Sequence, residues 1–211
     1  MGANVSINDL DIAHRVSSFH DIDLFSLNLD LNLNSNLESP LFHPIRCKYY
    51  SPHSFNQFKS ERCQRSDPKT FSLIHKNIRS LKRNFEDFQT HLLNELDFPF
   101  SIIGVTETNI RNADFADFNP SLAGYNFEFV PTPLSAGGVG MYIDWDLRYA
   151  IIEKRSNEAF QALWIEIHFT NKANIICGVI YRQHNSPEQF KKYSEETIEK
   201  LSVTGKVIYI I

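Results

Sequence analysis

Long apolar runs are missing from this chain. Nowhere do about eighteen apolar residues follow one another, and the N-terminus has no basic segment leading into an apolar one, so the patterns of a membrane-spanning helix and of a secretory signal are both absent. Cysteine is scarce as well. The three residues Cys47, Cys63 and Cys177 are too few and too widely spaced for a disulfide framework, and no Cys-x-x-Cys pair suggests a zinc knuckle. A reduced, intracellular protein, nuclear or cytoplasmic, is the expectation. A basic excess is also lacking: the net charge is -4, so contact with a polyanion would need a local patch rather than the field of the whole molecule. Apolar and aromatic residues are plentiful. With 42% of 211 residues hydrophobic and 13% aromatic, the chain can bury a core, and one domain plus a tail is the expected organisation.

The composition changes near residue 70. Met1 to Ser6 match the pattern for N-myristoylation at Gly2, but no polybasic stretch beside it supplies a second anchoring signal, and an unmodified N-terminus is the preferred reading. Residues 17–39 draw on Leu, Asn, Asp and Ser. The alternation of Leu27, Leu29, Leu31 and Leu33 fits a strand, but the narrow alphabet reads as low complexity, and residues 1–70 are expected to form a disordered leader. Residues 40–70 are basic and punctuated by Pro40, Pro44, Pro52 and Pro68, which argues against regular structure there and for a solvated linker.

From Thr70 the pattern becomes that of a compact α/β domain. Phe71–Ile74 reads as a short strand, and Leu81, Phe85, Phe88, Leu92 and Leu96 recur at the spacing of one helix face. Strands are expected over residues 98–105, from Gly137-Gly138 through Ile143, over 163–169 and over 174–181, with loop and turn between Asn119-Pro120 and Gly124-Tyr125. Ser186-Pro187-Glu188-Gln189 is a helix start, with Ser186 as cap, Pro187 in the first turn and Gln189 closing a capping box. Phe190, Tyr193, Thr197 and Leu201 then share one face, and the helix leads to a last strand at residues 206–211.

Three motifs end apolar runs: Asn77-Ile78-Arg79-Ser80-Leu81, Thr106-Glu107-Thr108 and Gly178-Val179-Ile180-Tyr181-Arg182. An amide oxygen, a carboxylate and a phenol delivered at strand ends can hold a hard metal ion beside a phosphodiester. Each residue also has a plainer reading. Asn77 could cap the following helix, Glu107 could be a solvated loop carboxylate, and Tyr181 could be a core tyrosine. His75 reads as a satisfied interior or edge histidine.

Together with Gly124-Tyr125, Gly137-Gly138-Val139-Gly140-Met141-Tyr142-Ile143 and Leu163-Trp164-Ile165-Glu166, these motifs resemble the N-terminal part of the endonuclease/exonuclease/phosphatase superfamily. More narrowly they resemble the apurinic-type endonuclease domain of LINE-type, non-long-terminal-repeat retrotransposons, over residues 71–211. Residues 40–60 are similar to the leader ahead of such domains, and Ser6 to Arg15 resemble the tail of the element's RNA-binding protein. The resemblance implies a four-layer α/β sandwich of the DNase I-like type that binds DNA. It further implies Mg2+ held by Asn77 and Glu107, with Tyr181 on the scissile phosphate and Arg182 adding charge.

The family pattern departs from this chain after Arg182, where Gln183-His184-Asn185 replaces paired prolines. The family's Gly-Asp-Phe-Asn segment, its second Asp and its final Asp-His pair have no counterpart in these 211 residues. The sandwich is therefore expected to be incomplete and the chain inactive as written. A non-catalytic retroelement remnant or interaction protein is the alternative, and a phosphatase of the same superfamily a weaker one.

Overall fold

The computed structural model describes residues 52–64, 71–111, 118–170, 172–184 and 187–211. The expectations for the N-terminal residues through 51, and the cap at Ser186, lie outside the described residues. Among the described residues, eight strands form two four-stranded mixed sheets. The first contains β1 (Leu73–Asn77), β2 (Ile102–Thr106), β3 (Tyr125–Val130) and β4 (Val139–Asp144), in the order β1-β2-β4-β3. The second contains β5 (Arg148–Ser156), β6 (Phe160–His168), β7 (Ile175–Arg182) and β8 (Val207–Ile210), paired in chain order.

The sheets pack face to face because the alternation of their strands gives each an apolar inner row. Leu163, Ile165, Ile167, Cys177 and Val179 from the second sheet meet Ile102, Val139, Met141 and Ile143 from the first. The outer rows are apolar too and are covered by helices. Over the first sheet lie α2 (Leu81–Thr90) and the π-helical turn His91–Leu96 that continues it, burying Leu81, Phe88, Leu92 and Leu96 against Ile103, Val105 and Tyr142. Over the second lies α3 (Pro187–Ser202), which buries Tyr193 and Leu201 on Trp164 and Ile176. The result is the expected α/β sandwich, with helix, sheet, sheet and helix in succession.

One helix was not anticipated. Within the stretch read as irregular, Pro52–Gln64 forms a helix, α1, that buries Phe55 beside Phe98 and Phe100. Lys59 donates from Nζ to the carbonyl of Leu96 at 2.7 Å, satisfying an orphan acceptor where the π-helical turn ends. Pro52 stands in the first turn, where it costs no hydrogen bond, so the proline that argued against structure starts the helix instead.

Two strands were not anticipated. β3 carries Tyr125, Phe127 and Phe129 on one face toward the helices, directly after the turn signal at Gly124. β5 is an edge strand, mostly exposed, and its pairing with β6 skips a residue between Ile151 and Glu153, which erases a clean alternation.

Candidate metal and phosphate site

The parallel pair β1 and β2 brings two carboxyl-terminal strand ends to one edge. Asn77 is the register partner of Thr106, so the next residue, Glu107, stands beside the Asn77 side chain. Asn77 donates from Nδ2 to Oε1 of Glu107 at 2.9 Å and accepts from the amide of Arg79 at 3.3 Å. Asn77 is exposed and Glu107 half-buried, so the pair opens to solvent. Asn77 does not cap α2. Ser80 does, accepting from the amide of Arg83 at 3.4 Å.

The backbone at this edge is strained and stitched. Arg79, Ser80, Glu107 and Asn109 all have positive φ (47°, 94°, 54° and 53°), which is unusual for residues with side chains. The two turns hold each other in place: Ser80 donates to the carbonyl of Glu107 at 2.7 Å, and Leu81 to that of Thr108 at 2.8 Å. A strained turn that its surroundings over-determine fixes the direction of the side chain it carries, here Glu107.

Tyr181 approaches from the other sheet. It lies on the inner face of β7, against the inter-sheet core, with Gln161 opposite it on β6. Burial, followed by the negative charge of Glu107, pushes its phenol above the ordinary value, so the hydroxyl is protonated near neutrality and can donate. Asn77 and Glu107 are thus brought together, and Tyr181 stands near enough for the Glu107 charge to act on its phenol. Arg182 is not, because strand alternation turns it to the outer face, where its guanidinium sits 5.8 Å from the centre of the Phe190 ring.

His75 is satisfied by Thr106, with Nε2 and Oγ1 3.1 Å apart. Burial pushes its pKa down to about 4, so it is neutral at physiological pH. The glycine of the third motif has a packing reason: a Cβ on Gly178 would lie 2.3 Å from the ring of Trp164, which covers it.

Sequence reasoning missed a polar network beside the pair. The loop between β3 and β4 is held by Asn109, Gln161 and Gln183. Asn109 Oδ1 accepts from the amide of Gly137 at 2.9 Å, Gln161 Oε1 from that of Gly138 at 3.0 Å, and Gln183 Nε2 donates to the carbonyl of Ala136 at 2.9 Å. Gly137 and Gly138 were read only as opening a strand. Their φ angles of 115° and 82° show a loop that only glycine follows easily.

No protein-family model and no curated protein matches this chain. Among solved structures it is similar to the catalytic domain of Xenopus laevis APE2, at 18% identity over 53% of this chain and 44% of that one, with a TM-score of 0.38. It is similar to D. rerio TDP2 complexed with single-strand DNA product, at 14% identity over 63% and 54%, with a TM-score of 0.45. C. elegans TDP2 matches at 15% identity over 75% and 52%, with a TM-score of 0.46. The chain spans about half the length of the solved structures it matches. These likenesses concern the fold alone.

Proposed function

We propose that this chain carries part of a metal-assisted phosphodiesterase site, that of a DNA endonuclease which nicks target DNA for a LINE-type retrotransposon. The observation that carries the reading is the Asn77–Glu107 pair, joined at 2.9 Å on an open sheet edge with the Tyr181 phenol within reach of the same charge. The donor set suits magnesium, which takes hard oxygen ligands, is commonly held by one or two carboxylates, and keeps several waters. When bound, the ion would stabilise negative charge on the phosphate and on the leaving oxygen.

Each side chain has a distinct task in this reading. Glu107 supplies a full counter-charge for the ion, and Asn77 orients that carboxylate and offers a neutral oxygen. Tyr181, held protonated, donates a hydrogen bond to a phosphate oxygen. Arg182 contributes only a background positive charge unless it leaves Phe190. Among the described residues no group of three His, Cys, Asp or Glu side chains gathers. Residues 1–211 hold no counterpart of the family's Gly-Asp-Phe-Asn segment, second Asp and Asp-His pair, and alone they are expected not to nick plasmid DNA above background, since catalytic groups that act as a unit fail together.

The test extends the chain with the carboxyl-terminal half of a DNase I-like endonuclease and titrates magnesium against plasmid nicking. Glu107→Gln is expected to raise the magnesium requirement more than Asn77→Ala, because it removes a full charge rather than a dipole. Tyr181→Phe should lower turnover with little change in metal dependence. Equal metal dependence for Glu107→Gln and the unsubstituted protein removes Glu107 from the site.

A further inference from the structure

We infer that Gln161 is a positioning residue, a buried amide that sets the placement of Glu107 on one sheet relative to Tyr181 on the other. This rests on the reading of Glu107 and Tyr181 as parts of one site. The two residues sit on different sheets, and face-to-face sheets interact through side chains that can slide, not through a ladder of backbone hydrogen bonds. Something must therefore fix their relative position at the open edge.

Gln161 lies on β6 as the register partner of Tyr181, and its side chain is fully buried between the sheets. Its Oε1 accepts from the amide of Gly138 at 3.0 Å, the carbonyl of Gly138 accepts from the amide of Thr108 at 3.2 Å, and Thr108 follows Glu107 directly. The path from Tyr181 to Glu107 is thus one strand pairing, one side chain and one glycine. Gln161 also donates from Nε2 to the carbonyl of Asn157 at 2.7 Å, which fixes which end of the amide faces the glycine.

The loop leaves little slack around this link. A Cβ on Gly137 would lie 2.5 Å from Oε1 of Gln161, and one on Gly138 would lie 2.5 Å from Oγ1 of Thr108. Backbone therefore packs directly on the amide, at a distance no side chain would allow. An amide buried without partners costs free energy, so both of its hydrogen bonds favour the one loop position that satisfies them. Gln183, directly after β7, secures the same loop by donating from Nε2 to Ala136, and its own backbone is fixed by an amide hydrogen bond to the carbonyl of Ala159 at 2.9 Å.

The test places fluorotyrosine at position 181 of the 211-residue chain and reads its fluorine resonance at constant pH, with and without Glu107→Gln. It uses neither metal nor turnover, so a failed magnesium titration leaves it intact. In the native background, removing the Glu107 charge should shift the resonance. With Gln161→Met, which fills the space but makes neither hydrogen bond, the Glu107→Gln response should fall by more than half. Gln161→Glu, whose protonated acid both accepts from Gly138 and donates to Asn157, should retain it. A side chain that only supports the core would lower the melting temperature and leave the response in place. An undiminished response with Gln161→Met overturns the inference. So does loss of the response in a folded Gln161→Glu protein, which keeps the idea testable if Gln161→Met does not fold.

Discussion

Gly178→Ala makes the sharpest use of the packing, because it adds one carbon where the structure leaves no room. The new Cβ would meet three atoms of the Trp164 ring at 2.3, 2.4 and 2.7 Å, against 3.4 to 4 Å for ordinary contact, so something must move by about an ångström. Trp164 is held on both sides. It is 1% exposed, lies between the sheet and α3, and donates from Nε1 to the hydroxyl of Tyr193 at 2.9 Å. Overpacking of this kind costs about 1–3 kcal/mol, and displacing the indole from Tyr193 leaves a buried N–H unpaired at a further cost of about 1–3 kcal/mol. A loss of about 2–6 kcal/mol is expected, a large share of the roughly 5–15 kcal/mol that stabilises a domain. Urea unfolding followed by tryptophan fluorescence reads it. The other tryptophan, Trp145, is 63% exposed and contributes little to the change on unfolding. Combining the substitution with Trp164→Phe, followed by circular dichroism because the reporting indole is then gone, should cost less than the sum of the two, because the smaller ring vacates part of the space. A loss below about 0.5 kcal/mol, the ordinary effect of a surface change, would refute the packing account of this glycine.

Acid should weaken the fold through His75. Its pKa is about 4 when folded against 6.5 unfolded, so below 6.5 the unfolded chain takes up a proton that the folded one refuses. Stability then falls with falling pH between those values, by at most about 1.4 kcal/mol per unit, and His75→Gln should flatten that slope in urea melts at several pH values. Phe55→Ala tests whether α1 belongs to the packed unit: Phe55 is 4% exposed among other phenylalanines, so a loss of about 3–5 kcal/mol is expected, whereas a detached leader would lose nothing.

The parts of the fold legible in the sequence are those whose periodicity has one physical cause. The stripe from Leu81 to Leu96 and the face of Phe190, Tyr193, Thr197 and Leu201 each cover one sheet, and burial follows them closely. β5 was hidden because an edge strand with a bulge needs no apolar alternation, and α1 because its anchoring residues are two phenylalanines, Phe55 and Phe58, in a basic background. The juxtaposition of Asn77 and Glu107 was legible because their strands end in register. Arg182 was misplaced because adjacency in a strand means opposite faces. Gln161 left no signal at all. A glutamine in an apolar strand looks like an ordinary surface position until the second sheet and its glycine loop close over it.

The most direct test of the central claim is manganese titration of the 211-residue protein followed by nitrogen–proton correlation spectra, manganese standing in for magnesium as a paramagnetic ion of the same charge. The account predicts selective broadening of the Asn77 side-chain amide and of the backbone amides around Glu107, abolished by Glu107→Ala. Broadening that spreads over surface carboxylates elsewhere, or that survives Glu107→Ala unchanged, would contradict it.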